Sequence, residues 1–280
     1  YVRQFGGFGS GGTTGTIYRL APGIDGLWGT ADDSVGIYTD LNTLVGPGTA
    51  GTVNWASNGG RASVGNAGLG DIDISADGTK LFVLNLADKR IYTLQIANAN
   101  GVLLATPVLL SIGPAIAPLI NGLAAEFGAS IDGYGVLGLG VYNGSVYLPI
   151  IFHRVGVNYF NVAIFQYDPG AAVYNNTHVL TANLSADFDF TYARERISDI
   201  VFDVNGDMVL GARPIQGDVD SVASYGDILR ACKVGANAWT MEDAGTANPV
   251  CRPSVLHASI KSDGTPSNAP EGFPIGTGNW

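Results

Sequence analysis

The sequence predicts an all-β protein of the β-propeller type, built from antiparallel meanders that recur about every 65 to 75 residues. Three observations lead there. A hairpin signature appears three times, a further β-rich segment follows each copy, and the composition favours turns over helices.

The first hairpin is Asp71-Ile-Asp-Ile-Ser-Ala-Asp-Gly-Thr-Lys-Leu-Phe-Val-Leu84. The second is Leu137-Gly-Leu-Gly-Val-Tyr-Asn-Gly-Ser-Val-Tyr-Leu148, and the third is Asp199-Ile-Val-Phe-Asp-Val-Asn-Gly-Asp-Met-Val-Leu210. In each, two β-rich runs flank Asp-Gly or Asn-Gly. Such pairs accept the positive φ of a tight hairpin turn, so a two-residue turn is expected at Gly78, Gly144 and Gly206.

A third strand follows each hairpin: Arg90-Ile-Tyr-Thr-Leu94, Ala163-Ile-Phe-Gln-Tyr167 and Asp227-Ile-Leu-Arg-Ala231. Thr16-Ile-Tyr-Arg-Leu20 matches the same strand, so an earlier unit begins upstream of it. The innermost strands read as nearly continuous apolar runs, as strands buried on both faces do. The expected organisation is one domain over residues 1–280, with units near 1–64, 65–131, 132–192 and 193–280. The long connections 40–69 and 97–135 are expected to hold extra strands or elaborated loops. A β-sandwich array is the alternative fold.

Composition agrees. The 280 residues include 40 Gly and 13 Pro, and only 14% are charged. Of the 24 acidic residues, only Glu126, Glu195, Glu242 and Glu271 are glutamate. Asp serves turns, because its short carboxylate reaches nearby backbone N–H groups, whereas Glu serves helices. The formal net charge is −10. No basic stripe exists to neutralise phosphates, which argues against nucleic acid as a partner. Residues 101–125 are uncharged and mostly apolar, but Pro107, Pro114 and Pro118 interrupt them. A buried strand-and-loop insertion is expected there and no transmembrane insertion. The chain opens at Tyr1 without an initiator Met, as a processed protein or an excised segment would.

Neither Cys232 nor Cys251 lies in a CxxC, which argues against a metal site. A disulfide between them would contribute about 3 kcal/mol in the chain-entropy model and would place the protein outside the cytosol. Two buried thiols are the other reading.

The stretch Gly68-Leu-Gly-Asp-Ile-Asp-Ile-Ser-Ala-Asp-Gly-Thr-Lys-Leu-Phe-Val-Leu-Asn-Leu86, followed by Ile91-Tyr92, resembles the propeller-like region of large secreted bacterial surface proteins. Those proteins often carry SdrD B-like repeats and sorting signals. Residues 197–213 and Gly226-Asp-Ile-Leu-Arg-Ala-Cys232 are similar to the same region. The resemblance covers roughly residues 65–255. Where the family commonly has Asp-Arg after Gly-x-Arg, this chain has Pro214-Ile215. The resemblance implies an extracellular, cell-surface or matrix component with no enzymatic activity to carry over. More distantly, the repeats are similar to those of calcium-dependent lactonase propellers.

Candidate sites are few. Asp25-Gly-Leu-Trp-Gly-Thr-Ala-Asp-Asp33 gathers three carboxylates, Asp25, Asp32 and Asp33, in a glycine-bearing loop. Calcium takes about six to eight hard oxygens, and this loop could offer several. The alternative is a metal-free loop of Asx turns. Asp71 and Asp199 each enter an innermost strand, with six residues separating them from the turn glycine. In a propeller they would approach the channel mouth and could hold a metal. Otherwise each bonds backbone N–H groups. Asp203-Val-Asn-Gly-Asp207 departs from calcium-loop spacing and reads as a hairpin turn.

His153, His178 and His257 form no metal-type i,i+4 pair, and no Ser lies in G-x-S-x-G. No catalytic residue is assigned. Gly6-Gly-Phe-Gly-Ser-Gly-Gly12 lacks the Lys of a phosphate loop. Asn143, Asn175 and Asn183 open Asn-x-Ser/Thr sequons and are glycosylation candidates. Phe188, Phe190 and Tyr192 alternate along one strand face, as a packed strand or a carbohydrate platform would.

These features lead to three expectations. The first is a non-catalytic surface module acting in adhesion, structural assembly or filament and sheath formation, partnered by copies of itself or by surface glycans and proteins. The second is a calcium-dependent lactonase-like hydrolase. The third is a carbohydrate-binding propeller.

Overall fold

The computed structural model describes residues 12–53, 65–156, 160–183, 195–214 and 227–241. The described strands form open antiparallel sheets, and the chain is all-β in class. It divides into two compact units, Tyr1–Gly113 and Pro114–Trp280.

In the first unit, β1 (Thr16–Ala21) pairs antiparallel with β2 (Ser34–Asp40). The helical turn α1 (Leu41–Leu44) follows at once, because the Asp40 carboxylate accepts the Asn42 amide and caps it. A four-stranded meander comes next: β3 (Leu69–Ile74), β4 (Lys80–Asn85), β5 (Arg90–Ala97) and β6 (Leu103–Ile112), in that order. The two sheets enclose a core in which Ile17, Tyr38 and Leu41 meet Leu81, Val83, Tyr92 and Leu94. The Tyr38 hydroxyl crosses between them, reaching the carbonyls of Ile96 at 3.3 Å and Leu104 at 3.1 Å.

The second unit opens with α2 (Ala117–Phe127). Two strands, β7 (Ile131–Gly135) and β8 (Gly140–Tyr142), then pair end to end along one edge of β9 (Ser145–Arg154). β10 (Phe160–Asp168) and β11 (Val173–Asn183) complete that meander. The last meander runs β12 (Glu195–Phe202), β13 (Met208–Pro214), β14 (Asp227–Gly235) and β15 (Ala238–Met241). The core of this unit joins the two meanders: Tyr147, Ile151, Val162 and Ile164 meet Ile200, Met208, Leu210 and Trp239.

The apolar runs read from sequence are buried as expected. In β4, both Leu81 and Val83 on one face and Phe82 and Leu84 on the other are closed to solvent. β9 is buried over seven consecutive residues from Val146 to Phe152. The segment Thr16–Ala21 pairs with the strand that follows it, as β5, β10 and β14 do. The N-terminal residues 1–11 lie outside the described residues.

Two local expectations are corrected. Residues 101–125 hold β6, which leaves Leu103, Val108 and Leu110 exposed, and most of helix α2, rather than a buried strand and loop. Pro118 stands in the first turn of α2, where its missing N–H has no helical partner to lose. Gly128 then ends the helix at φ 58°. Among the described residues no helix is long and apolar enough to cross a membrane. The second correction concerns the turns. Only Asn143 and Gly144 are both left-handed, at φ 48° and 78°. At Asp77-Gly78 and Asn205-Gly206 the glycine alone is left-handed, and the loops are longer. There the Gly78 amide donates to Ser75 and the Gly206 amide to Asp203.

The Leu137-Gly-Leu-Gly140 segment breaks the first strand of its meander into β7 and β8. Its backbone lies against β12: Gly138 N–H donates to the Ile197 carbonyl at 2.8 Å, and Ile200 N–H to the Leu139 carbonyl at 3.3 Å. A Cβ on Gly140 would stand 2.4 Å from the Ile200 carbonyl oxygen. Glycine is required because two backbones approach without room for side chains.

Candidate functional site

The Asp25–Asp33 segment forms the loop joining β1 to β2. Its carboxylates fold the loop onto itself. Asp25 accepts the Leu27 amide at 2.9 Å. Asp32 accepts the Ile24 amide at 2.7 Å, and Asp33 accepts the Gly29 amide at 2.6 Å. The Thr30 hydroxyl sits between the two later acids, donating to Asp32 at 2.8 Å, with the Leu27 carbonyl 3.3 Å away and Asp33 3.5 Å away. The Thr30 hydroxyl, against an opposing desolvation and helped by the Ile24 amide, holds the Asp32 carboxyl below the usual carboxylate range. The loop therefore brings Asp32, Asp33 and a carbonyl around one point, whereas Asp25 caps a separate turn. Among the described residues no group of three or more His, Cys, Asp or Glu side chains is gathered to hold a metal ion.

Asp71 lies on β3 in the first unit and Asp199 on β12 in the second. Both stand at a break in register, between Leu69 and Ile72 in β3 and between Ile197 and Asp199 in β12. The Asp71 carboxylate accepts the Ile72 amide at 2.8 Å. In β3 the break includes Asp71 itself, whereas in β12 the skipped residue is Ser198 and Asp199 pairs with Gly211.

The Asp203–Asp207 turn is built as a structural corner. Asp203 accepts the amides of Asn205 and Asp207. Burial pushes the Asp203 carboxyl up, but those two amides, with the Asn205 side chain and the Arg230 charge, together hold it below the usual range. Asp207 accepts the Lys233 amide at 2.8 Å and the Arg230 guanidinium at 2.7 Å. A cation already stands beside both acids, since Arg230 is also 3.8 Å from Asp203.

The two described histidines each meet a carboxylate: His153 with Asp132 at 2.6 Å, and His178 with Glu126 at 3.0 Å. The second pair ties α2 to β11. His257 lies outside the described residues, as do Phe188, Phe190, Tyr192 and most of the early glycine run. Cys232 is buried in β14, and Cys251 lies outside the described residues. Asn143 is exposed in the β8–β9 turn, and Asn175 and Asn183 are exposed on β11.

Two groupings escaped sequence reasoning. Tyr142 stacks on Phe202 at 4.6 Å, Tyr147 and Trp239 close the group, and Lys233 stands over the Tyr142 ring. The signal was aromatic residues flanking successive hairpin turns. The other is an apolar ribbon. Leu20, Val35 and Ile37 are exposed where β1 and β2 run on toward their loop, and Ile24, Leu27 and Trp28 are exposed in the loop itself. Register places Leu20 opposite Val35 and Tyr18 opposite Ile37, so Leu20, Val35 and Ile37 share a face.

No protein-family model matches the chain, and no curated protein matches it.

Proposed function

We propose that the chain is a non-catalytic extracellular surface or matrix module with propeller-like repeats, acting in structural assembly with further copies of itself. The exposed apolar ribbon of β1 and β2 carries this reading. Val35 and Trp28 are exposed by 68% and 63%, in a surface that also includes Leu20, Ile24, Leu27 and Ile37. Exposed apolar side chains gain free energy when another chain covers them. Repeated meanders and carboxylates committed to turn amides support a structural role in the same direction. Calcium at Asp32 and Asp33, and a disulfide between Cys232 and Cys251, belong to this proposal as stabilising elements of an extracellular module.

The test is molecular mass in solution by light scattering, with Ca²⁺ and with EGTA, for the unaltered chain and for Trp28→Ser with Ile37→Thr. The proposal expects a mass above the monomer that falls in the double variant while its thermal transition is retained. A monomer at all concentrations would overturn assembly. Thermal unfolding in the same solutions reads calcium separately: a ligand bound by the native state alone raises stability by about 2.7 kcal/mol at a hundredfold excess over Kd. Calcium-dependent hydrolysis of lactones by the unaltered chain would favour the lactonase-like reading instead.

A further inference from the structure

Asn-Gly pairs occur at Asn58, Asn100, Asn121, Asn143 and Asn205. Such pairs are chemically labile because glycine leaves its own amide nitrogen sterically open to the preceding carboxamide. Whether that nitrogen is free to react depends on the fold. Asn58-Gly59 lies outside the described residues. Gly101 donates its amide to the Asn98 carbonyl at 2.9 Å, and Gly206 donates to Asp203 at 2.9 Å. Gly122 lies inside α2, where the helical ladder engages its amide.

Gly144 differs. It is the second residue of a two-residue turn closed by the Tyr142–Ser145 pair, and its amide has no acceptor among the described residues. Asn143 and Gly144 are both exposed, and the Asn143 carboxamide has no hydrogen bond among the described residues. We infer that Asn143-Gly144 is a site of spontaneous modification, the principal one among these four described pairs, at which asparagine converts to aspartate and isoaspartate.

The chemistry needs only water and base. The deprotonated Gly144 nitrogen attacks Asn143 Cγ, a new N–Cγ bond closes a five-membered imide, and the Cγ–Nδ2 bond breaks. Nδ2 leaves as ammonia, taking up the proton lost by the backbone nitrogen. Water then opens the imide. Attack at Cγ yields aspartate, and attack at the Asn143 main-chain carbonyl yields isoaspartate. The turn must rotate away from its left-handed geometry for the ring to close, so the folded chain reacts more slowly than the unfolded one.

The products change the hairpin. Either adds a negative charge. Isoaspartate also inserts a methylene into the main chain of a turn that has only two residues, so the Tyr142–Ser145 pairing is lost. β8 is only three residues long, and its Tyr142 carries the stack on Phe202. Conversion also removes the acceptor of the Asn143-Gly-Ser145 sequon, and a glycan on Nδ2 would block the reaction.

The test uses the full chain from a host that does not glycosylate, held at mildly alkaline pH and sampled by peptide mapping with isoaspartate detection. The expected result is conversion at residue 143 several-fold faster than at residues 100, 121 and 205. In denaturant the pairs should react at similar rates. Asn143→Gly keeps a turn that accepts positive φ and should abolish that product alone. Equal native rates at residue 143 and at residues 100 or 205 would overturn the inference. So would a native chain inert at residue 143 whose denatured form reacts there.

Discussion

The indole N–H of Trp239 donates to the carbonyl of Gly206 at 2.7 Å, joining β15 to the turn between β12 and β13. The bond is buried, and the Trp239 ring also packs edge-on against Tyr147 at 5.5 Å. One side chain near the end of the last meander thus holds a turn that begins it.

Trp239→Phe should keep most of the ring's packing and leave the Gly206 carbonyl without its donor. An unsatisfied buried acceptor costs about 1–3 kcal/mol. Urea unfolding should show that loss as a lower midpoint with an unchanged slope.

Two glycine substitutions should have opposite signs. Gly140→Ala places a Cβ 2.4 Å from the Ile200 oxygen, so a backbone must shift, at a cost of about 1–3 kcal/mol. Gly122→Ala meets nothing within 4 Å and lies in α2, where alanine gains about 0.5–1 kcal/mol. Paired thermal melts check both.

Acid should weaken the first unit through Asp77. The Ser75 hydroxyl, then the Thr79 amide and hydroxyl, hold its carboxyl down to about 2 from an ordinary 3.8. A depressed folded-state pKa means the unfolded chain takes up the proton first. The contribution is therefore complete above pH 3.8 and is lost as pH falls toward 2. Asp77→Asn should reduce the drop in unfolding midpoint between pH 5 and pH 2, measured in urea.

Cys232→Ser should lower Tm in oxidising buffer and leave Tm insensitive to reductant. A bridge to Cys251 would contribute about 3 kcal/mol. Non-reducing peptide mapping would recover Cys232 and Cys251 in one disulfide-linked species if the bridge is present; separate alkylated peptides would exclude it.

Much of the strand inventory was legible. Alternation and β-branched runs marked the paired segments of all three hairpins, and each third strand followed where the pattern placed it. Helix α2 is hidden in the sequence because Pro118, which reads as an interruption, sits in the one helical turn that tolerates it. Of the candidate acids, Asp32 and Asp33 come close together around Thr30, but Asp25 turns away to cap Leu27. Spacing shows which carboxylates share a loop, not which amides compete for them.

From sequence alone came the all-β class, the repeated hairpins and the dominance of turn carboxylates, since strand alternation and turn chemistry are local properties of neighbouring residues. Only the tertiary structure decided which turns are tight, why Gly138 and Gly140 are glycine, and which apolar residues remain exposed. Those depend on how closely one backbone approaches another, and on which face of a strand finds a partner. Both are relations between residues far apart in the chain.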